Sequence, residues 1–307
     1  MPDSIQQIRT DGEAFKTGMD RRIKAFENPA STSTILAWKA DEDEFDLVSS
    51  IGGKWVTTSR WPGGGLGEKA ISAGKSGKVN IIPRYQREAS ATSDPLMPLN
   101  SQAEIDAFGT KLEADLDKYD LANVKWVAGG NEPDAKRDNK PRFWGAPLKD
   151  FGPKWGRHFA PRVRARGMGV IWELPQVNVN SIPEFVFGLV DSGAYQPGDK
   201  FSFHSYQSSA DKHIARLLEA FAKVKSIIPT ITLADFCSLE WGIALGGPDA
   251  NKLIEEKKLH SETMKLGLWL VAKYRIRRNK WPESYLSPFD ELNQPTFTNL
   301  FWKSVAA

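Results

Sequence analysis

The chain has 307 residues, of which 40% are hydrophobic, 26% charged and 11% aromatic, and its formal net charge is +3. This composition predicts a sizeable folded domain and excludes a disordered or fibrous protein. The small basic excess does not imply binding to nucleic acid, and the single cysteine, Cys237, excludes an internal disulfide framework. No apolar window approaches the roughly 18 residues of a membrane-spanning helix. We expect an extracellular protein if a signal peptide has been removed and a cytoplasmic one otherwise.

Short apolar runs alternate with amphipathic stretches, which is typical of a parallel sheet with crossover helices. Eight runs are predicted as strands, at residues 35–38, 55–58, 79–82, 124–128, 170–172, 201–204, 231–239 and 285–289. The clearest helix begins at Ser101, where Glu104 completes a capping box. Further helices are predicted over residues 151–167, 214–224, 260–277 and 297–302.

These strand–helix units predict an α/β protein, a single-domain (β/α)8 TIM barrel over residues 31–307. Residues 1–30 are predicted to form an N-terminal segment that packs on the barrel. The main alternative is an open, doubly wound sheet, which needs a glycine-rich phosphate loop after an early strand. The stretch at residues 61–67 has neither the dinucleotide nor the Walker spacing, which favours the barrel.

Two glutamates stand where the fourth and seventh predicted strands end. Glu132 follows the fourth run, and Glu240 closes the seventh. Because the active site of a (β/α)8 barrel lies at the carboxyl ends of its strands, we expect both carboxylates in one cleft. Such a pair is what glycoside hydrolysis needs, one carboxylic acid to protonate the leaving oxygen and one carboxylate to attack the sugar or to activate water.

The motifs around these glutamates resemble those of the clan A retaining glycosidases. They are Asn-Glu-Pro at residues 131–133, His-Ser-Tyr at 204–206 and Glu-Trp-Gly at 240–242. The resemblance implies that Glu132 is the acid and base, that Glu240 is the nucleophile and that Asn131 binds the sugar 2-hydroxyl. Period-two alternation points His204 and Tyr206 the same way, into the cleft.

The same resemblance implies that the phenol of Tyr206 and the guanidinium of Arg60 contact the nucleophile. The Asn-Glu-Pro-Asp form is also similar to glycoside hydrolase family 128, which acts on β-1,3-glucan. Two stretches differ from the clan pattern: residues 287–290 contain no tryptophan, and Pro-Arg-Tyr at residues 83–85 stands where some of the families have a histidine.

Aromatic rings at strand ends or in upper loops are candidate platforms for a sugar face. Five tryptophans meet this description, and we expect two or three of them to bind sugar: Trp38, Trp61, Trp144, Trp172 and Trp241. Glu173, after the fifth run, is a rival catalytic carboxylate, although it is more simply interpreted as a ligand for a hydroxyl or an arginine. His213 falls on a predicted helix, where we expect it to face solvent.

No histidine or carboxylate cluster has metal-ligand spacing, so we expect neither a metal nor another cofactor. The sequence thus predicts a monomeric, retaining, endo-acting β-glycoside hydrolase. Its expected substrate is an oligosaccharide or polysaccharide of β-glucan type, cleaved by double displacement, and no nucleic acid or membrane partner is expected. Two alternatives stay open: a carbohydrate-binding barrel without catalysis, and a phosphate-handling barrel that uses Gly246 and Gly247.

Overall fold

A computed structural model describes residues 34–58, 66–85, 98–137, 140–141, 144–243, 250–274, 287–288, 290, 292–296 and 299–306. The predicted N-terminal segment, residues 1–30, lies outside these ranges. Within them, no helix combines the length and the apolar character needed to cross a membrane.

Eight parallel strands form a closed barrel, which confirms the predicted (β/α)8 fold. The strands are β1 Ile35–Lys39, β2 Trp55–Thr58, β3 Asn80–Tyr85, β4 Trp126–Gly129, β5 Gly169–Glu173, β6 Lys200–Ser202, β7 Phe236–Ile243 and β8 Leu270–Lys273. Leu270 pairs with Ile35 of β1 and with Cys237 of β7, and this double pairing closes the barrel. A short strand, Ser205–Gln207, follows β6 and pairs with the end of β7.

A helix follows each strand and covers the outside of the barrel. The helices are α1 Phe45–Ser50, α2 Glu68–Lys75, α3 Gln102–Leu121, α4 Arg157–Ala165, α5 Ile182–Asp191, α6 Ala210–Lys225, α7 Ala250–Lys265 and α8 Asn299–Ala306. The capping box predicted at the start of α3 is present, because the Glu104 amide donates to the Ser101 hydroxyl and the Ser101 amide donates to the Glu104 carboxylate.

The prediction for the last strand was wrong. Helix α7 ends at Lys265, Gly267 takes a φ of +69°, and β8 follows where we expected the predicted helix to continue. A strand buried on both faces gives a continuous apolar run, which periodicity alone does not separate from a buried helix. Residues 287–288, the described part of the predicted eighth strand, lie outside any strand. The seventh strand also begins later than predicted, after a 3-10 turn at Leu233–Asp235.

Side chains alternate between the inside of the barrel and the helix layer along each strand. An apolar layer fills the interior and contains Ala37, Ile82, Ala128, Ile171, Cys237, Leu239, Leu270 and Ala272. Two residues further along their strands, the same alternation places Lys39, Arg84 and Glu173 above this layer, and all three are buried. The alternation of side chains along the strands therefore places three charged residues, Lys39, Arg84 and Glu173, at the floor of the upper barrel.

Three of the predicted sugar platforms were wrong, since Trp38, Trp172 and Trp241 are fully buried. Trp38 and Trp172 alternate with interior positions and face the helices, whereas Trp241 follows a shift in the register of β7 and packs against Trp302. Trp38 packs edge-on against Trp302 of α8, with ring centroids 5.3 Å apart, and Trp172 packs against Phe151 at 6.3 Å. A ring enclosed in this way has no face to offer to a sugar.

His213 was also predicted wrongly, since it is fully buried on α6. Its ring lies edge-on to Trp241, with centroids 6.4 Å apart. Burial lowers the pKa of His213 to about 3, so its imidazole is neutral at physiological pH.

Candidate active site

The loop after β4 places Glu132 through two residues of left-handed backbone. Gly130 has a φ of +84°, and Glu132 itself has a φ of +40°. Residues other than glycine adopt this left-handed backbone conformation at a cost of about 1–3 kcal/mol. The Asp134 carboxylate accepts hydrogen bonds from the amides of Gln176 and Asn178, at 2.8 and 2.7 Å. These bonds tie the loop after β4 to the loop after β5.

A β-bulge places Glu240. The register between β7 and β8 shifts between Ser238 and Trp241, so an extra residue is inserted into β7. A bulge redirects the side chains beyond it, and here Glu240 follows the interior residue Leu239 and still reaches the groups on the barrel floor.

Glu132 and Glu240 face each other at the mouth of the barrel. One carboxylate oxygen of each, together with a ring nitrogen of His204, form a group whose atoms all lie within 4.8 Å of one another. The two glutamate side chains keep 14% and 13% of their surface exposed, whereas His204 keeps only 2%. The two carboxylates therefore form the accessible top of the site.

Arg84 forms the buried centre of the site. Its guanidinium donates two hydrogen bonds to Glu173, from Nε at 2.8 Å and from Nη2 at 2.7 Å. It also donates to Glu240 through Nη1 and to Asn131 through Nη2. Although burial opposes its charge, the charges of Glu173 and Glu240 raise the pKa of Arg84 above its ordinary value. One cation thus connects the ends of β3, β4, β5 and β7.

His204 bridges two glutamates. Its Nδ1 lies 3.1 Å from the Glu132 carboxylate, and its Nε2 lies 2.9 Å from that of Glu173. Burial and the charge of Arg84 lower its pKa, but the Glu173 charge and the hydrogen bonds to both glutamates outweigh them and raise it to about 9. An imidazolium donates from both nitrogens, which matches a ring held between two carboxylates.

Glu240 is held in its ionised form. The Tyr206 hydroxyl donates to its Oε2 at 2.6 Å, and the Lys39 ammonium lies 3.7 Å from its Oε1. Burial opposes ionisation, but the charges of Arg84, Lys39 and His204 and the bond from Tyr206 lower its pKa well below the usual range. Burial, together with the Glu240 charge, raises the pKa of Tyr206, so the phenol keeps its proton.

The close approach of Glu132, His204 and Glu240 raises the question of a metal ion. Two side-chain cations already compensate Glu240, because Arg84 bonds to it and Lys39 lies beside it. A third positive charge follows from the raised pKa of His204. We therefore interpret the cluster as an ion-pair network between side chains.

The structure brings together six of the twelve predicted site residues: Asn131, Glu132, Glu173, His204, Tyr206 and Glu240. Arg60 and Trp61 lie outside the described residues, so their predicted contacts stay predictions. Sequence analysis missed Lys39 and Arg84 as ligands of the nucleophile. The alternation of side chains along a strand could have placed both residues inside the barrel, since each lies two residues beyond an interior apolar position.

An aromatic residue does follow the eighth strand. With β8 at Leu270–Lys273, the next residue is Tyr274, which is partly exposed. Its ring is edge-on to that of Tyr206, with centroids 5.9 Å apart. Residues 287–290, which contain no tryptophan, are therefore not the residues at the end of strand eight.

A cavity of about 700 Å³ opens beside the loop that carries Glu132. Its lining includes Pro133, Asp134, Lys136, Trp144, Val177 and Asn178. Trp144, a predicted platform, is 2% exposed and donates from its indole nitrogen to the Pro147 carbonyl at 3.1 Å, so it forms part of the cavity wall and not an open platform.

Comparison with known proteins finds similarity in structure only. No protein-family model matches the chain, and no curated protein does. The structure is similar to a GH128 (subgroup VI) exo-β-1,3-glucanase from Aureobasidium namibiae, with 9% identity and a TM-score of 0.58 over 88% of this chain and 96% of that one. It is also similar to a curdlan-specific GH128 (subgroup III) exo-β-1,3-glucanase from Blastomyces gilchristii, with 14% identity and a TM-score of 0.53 over 90% of this chain and 100% of that one. An endo-β-1,4-glucanase from Xanthomonas axonopodis pv. citri is similar as well, with 13% identity and a TM-score of 0.53 over 87% of this chain and 90% of that one. At these identities the likeness shows that the chain has the barrel fold of these glycoside hydrolases.

The raised pKa of His204 gives a test of the ion-pair network. Long-range ¹H–¹⁵N spectra of the four histidines should show a His204 ring that stays protonated until about pH 9, while His213 stays neutral down to about pH 3. Since the folded pKa exceeds the ordinary value of about 6.5, protonated His204 contributes stability that is fully present below pH 6.5 and is lost as the pH rises through 9.

Removing the charge in Glu173→Gln should lower the pKa of His204, because that charge is the largest contribution that raises it. A His204 ring that titrates at or below pH 6.5 in the unmodified protein would contradict the network.

Proposed function

We propose that the protein is a retaining, endo-acting β-glycoside hydrolase that cleaves a β-glucan-type polysaccharide by double displacement. The observation that carries the proposal is the pair of strand-end glutamates, whose nearest oxygens lie within 4.8 Å of each other. Retaining glycosidases hold their two carboxyl groups about 5–5.5 Å apart, whereas inverting enzymes need about 6.5–9.5 Å to admit a water molecule.

In the first step, the Glu240 carboxylate attacks the anomeric carbon, and the bond from that carbon to the glycosidic oxygen breaks. Glu132, in its protonated form, donates its proton to the departing oxygen. The lowered pKa of Glu240 supports its role as nucleophile, because only the carboxylate can attack. Tyr206 and Arg84 each hold one oxygen of that carboxylate and so fix its direction.

In the second step, a water molecule attacks the same carbon, and the ester bond to Glu240 breaks. Glu132, now a carboxylate, takes the proton of the water. Two inversions at one carbon restore the β configuration. His204 stays within 3.1 Å of Glu132 and, as an imidazolium, positions its carboxyl group in both steps.

The proposed substrate class rests on the structural neighbours. The structural neighbours named above are β-glucanases, two of them described as acting on β-1,3-glucan. The cavity next to Pro133 and Asp134 offers room for the departing chain, because the acid Glu132 in the same loop lies beside the leaving oxygen. Endo action is the part of the proposal that comes from the sequence, since an exo-acting enzyme needs the same room.

Azide rescue separates the roles of the two glutamates. Glu240→Gly should be inactive alone but, with an activated aryl β-glycoside and azide, should yield the α-glycosyl azide through one displacement. Glu132→Ala should give the β-glycosyl azide through two displacements and should lose about 100- to 10,000-fold on substrates whose leaving group needs a proton.

The matched control is Glu219→Ala, which removes an exposed glutamate of α6 and should change neither product nor rate. Normal polysaccharide hydrolysis by Glu132→Ala would contradict the assignment of the acid. Binding of oligosaccharide without turnover by the unmodified protein would favour a non-catalytic carbohydrate-binding barrel.

The cavity can be tested with substrates that differ only in their leaving group. Val177, 63% exposed, lines the cavity, and Val177→Asp should lower kcat/KM for β-glucan oligosaccharides about tenfold, the effect of about 1.4 kcal/mol of lost apolar contact. Hydrolysis of an aryl β-glycoside should be unchanged, because the aryl group does not reach the cavity. The control is Val190→Asp, an exposed valine on α5 that does not line it. Equal losses on both substrates would contradict the role of the cavity.

A further inference from the structure

Lys39 is a buried lysine for which the resemblance to known glycosidases supplies no role. It is the last residue of β1, on the interior face of the barrel, and is 7% exposed. Its Nζ lies 3.7 Å from Oε1 of Glu240, the same oxygen that accepts from Arg84. A buried ammonium is costly unless it is paired, so its position beside the nucleophile needs an explanation.

The charges around Lys39 indicate what it compensates. Arg84 is shared between two carboxylates, those of Glu173 and Glu240. His204 also lies against Glu173, at 2.9 Å, and the Lys39 ammonium adds a positive charge on the Glu240 side of the network. Lys39 is therefore a second cation beside the nucleophile, in addition to Arg84.

We propose that Lys39 is a positioning residue for the second chemical step, in which its positive charge stabilises Glu240 as that residue leaves the sugar as a carboxylate. The inference rests on the proposed function and extends it. During this step the bond between the anomeric carbon and Glu240 breaks, and its electron pair returns to the carboxylate. A cation fixed beside that group stabilises the negative charge as it develops.

The proposal makes the second step sensitive to the protonation of Lys39. Burial and the neighbouring charge of Arg84 lower the pKa of Lys39 to about 8, while the charge of Glu240 opposes this shift. Glu240 is neutral while it is esterified, so its opposing effect disappears and the pKa of Lys39 falls further in the intermediate.

Among the residues that the structure describes, Asp41, after β1, and Glu173, at the end of β5, also act on Lys39. Lys273 of the adjacent strand β8 faces the helix layer, where it bonds to Glu256 at 3.1 Å. Breakdown of the intermediate should therefore slow as the pH rises toward and through 8.

The test isolates the second step. A 2,4-dinitrophenyl 2-deoxy-2-fluoro-β-glucoside loads Glu240 without an acid, excess reagent is removed, and the rate of reactivation is measured against pH. Mass spectrometry of the loaded protein checks that each variant has formed the intermediate and is folded. The unmodified protein should lose reactivation rate as Lys39 deprotonates, with a midpoint below pH 8.

Two variants at position 39 should both lack the alkaline decline but differ in their rate of reactivation at neutral pH. Lys39→Arg keeps the charge at all pH values and should remove the alkaline decline, while Lys39→Met should reactivate about 100- to 1,000-fold more slowly at neutral pH without that decline. The proposal would be overturned by an alkaline decline in Lys39→Arg equal to that of the unmodified protein, or by a reactivation rate in Lys39→Met equal to that of the unmodified protein.

A failure of this inference is distinguishable from a failure of the proposed function. If the unmodified protein forms no covalent intermediate and hydrolyses no glycoside, the proposed function itself fails, and the role of Lys39 fails with it. If the intermediate forms on Glu240 and reactivates alike in all three proteins, only the role of Lys39 is overturned.

Discussion

The ion pairs of Arg84 hold the site together. A guanidinium that is 1% exposed lies between Glu173 and Glu240 and also reaches Asn131. Buried charges are stable only when each is paired and hydrogen-bonded, so these side chains constrain one another. The loop after β4 and the end of β7 therefore meet at a fixed separation. The placement of Glu132 relative to Glu240 follows from a network that is itself shielded from solvent.

The same network gives the two partly buried glutamates, Glu132 and Glu240, different environments. Glu240 lies against Arg84, Lys39 and the Tyr206 hydroxyl, all of which favour its charge. Glu132 contacts His204 and lies in a strained loop that places its carboxyl group at the mouth of the barrel. Two carboxyl groups set to different tasks by their surroundings are the chemical requirement of acid-assisted nucleophilic substitution at a sugar.

Much of this arrangement could be predicted from the sequence, because short apolar runs mark barrel strands and the residues after them mark the upper rim. The prediction of tryptophan platforms was wrong for Trp38 because a place at a strand end does not fix the direction of the side chain. Trp38 lies between Ala37 and Lys39, which face inward, so its ring faces the helices. The prediction of the eighth strand was wrong because a strand that is buried on both faces has the same continuous apolar pattern as a buried helix. Strand alternation places Arg84 inside the barrel, two residues beyond Ile82, but it does not identify Glu240, 156 positions away, as the partner of Arg84.

The central claim is that Glu132 and Glu240 act as a retaining pair. Proton NMR of a β-1,3-glucan oligosaccharide during the first minutes of hydrolysis tests it most directly, because the anomeric signals of the new reducing end appear before mutarotation mixes them. The account predicts that the β-anomer forms first and that the α-anomer grows in later. An α-anomer that appears first would show a single inversion and would contradict the account.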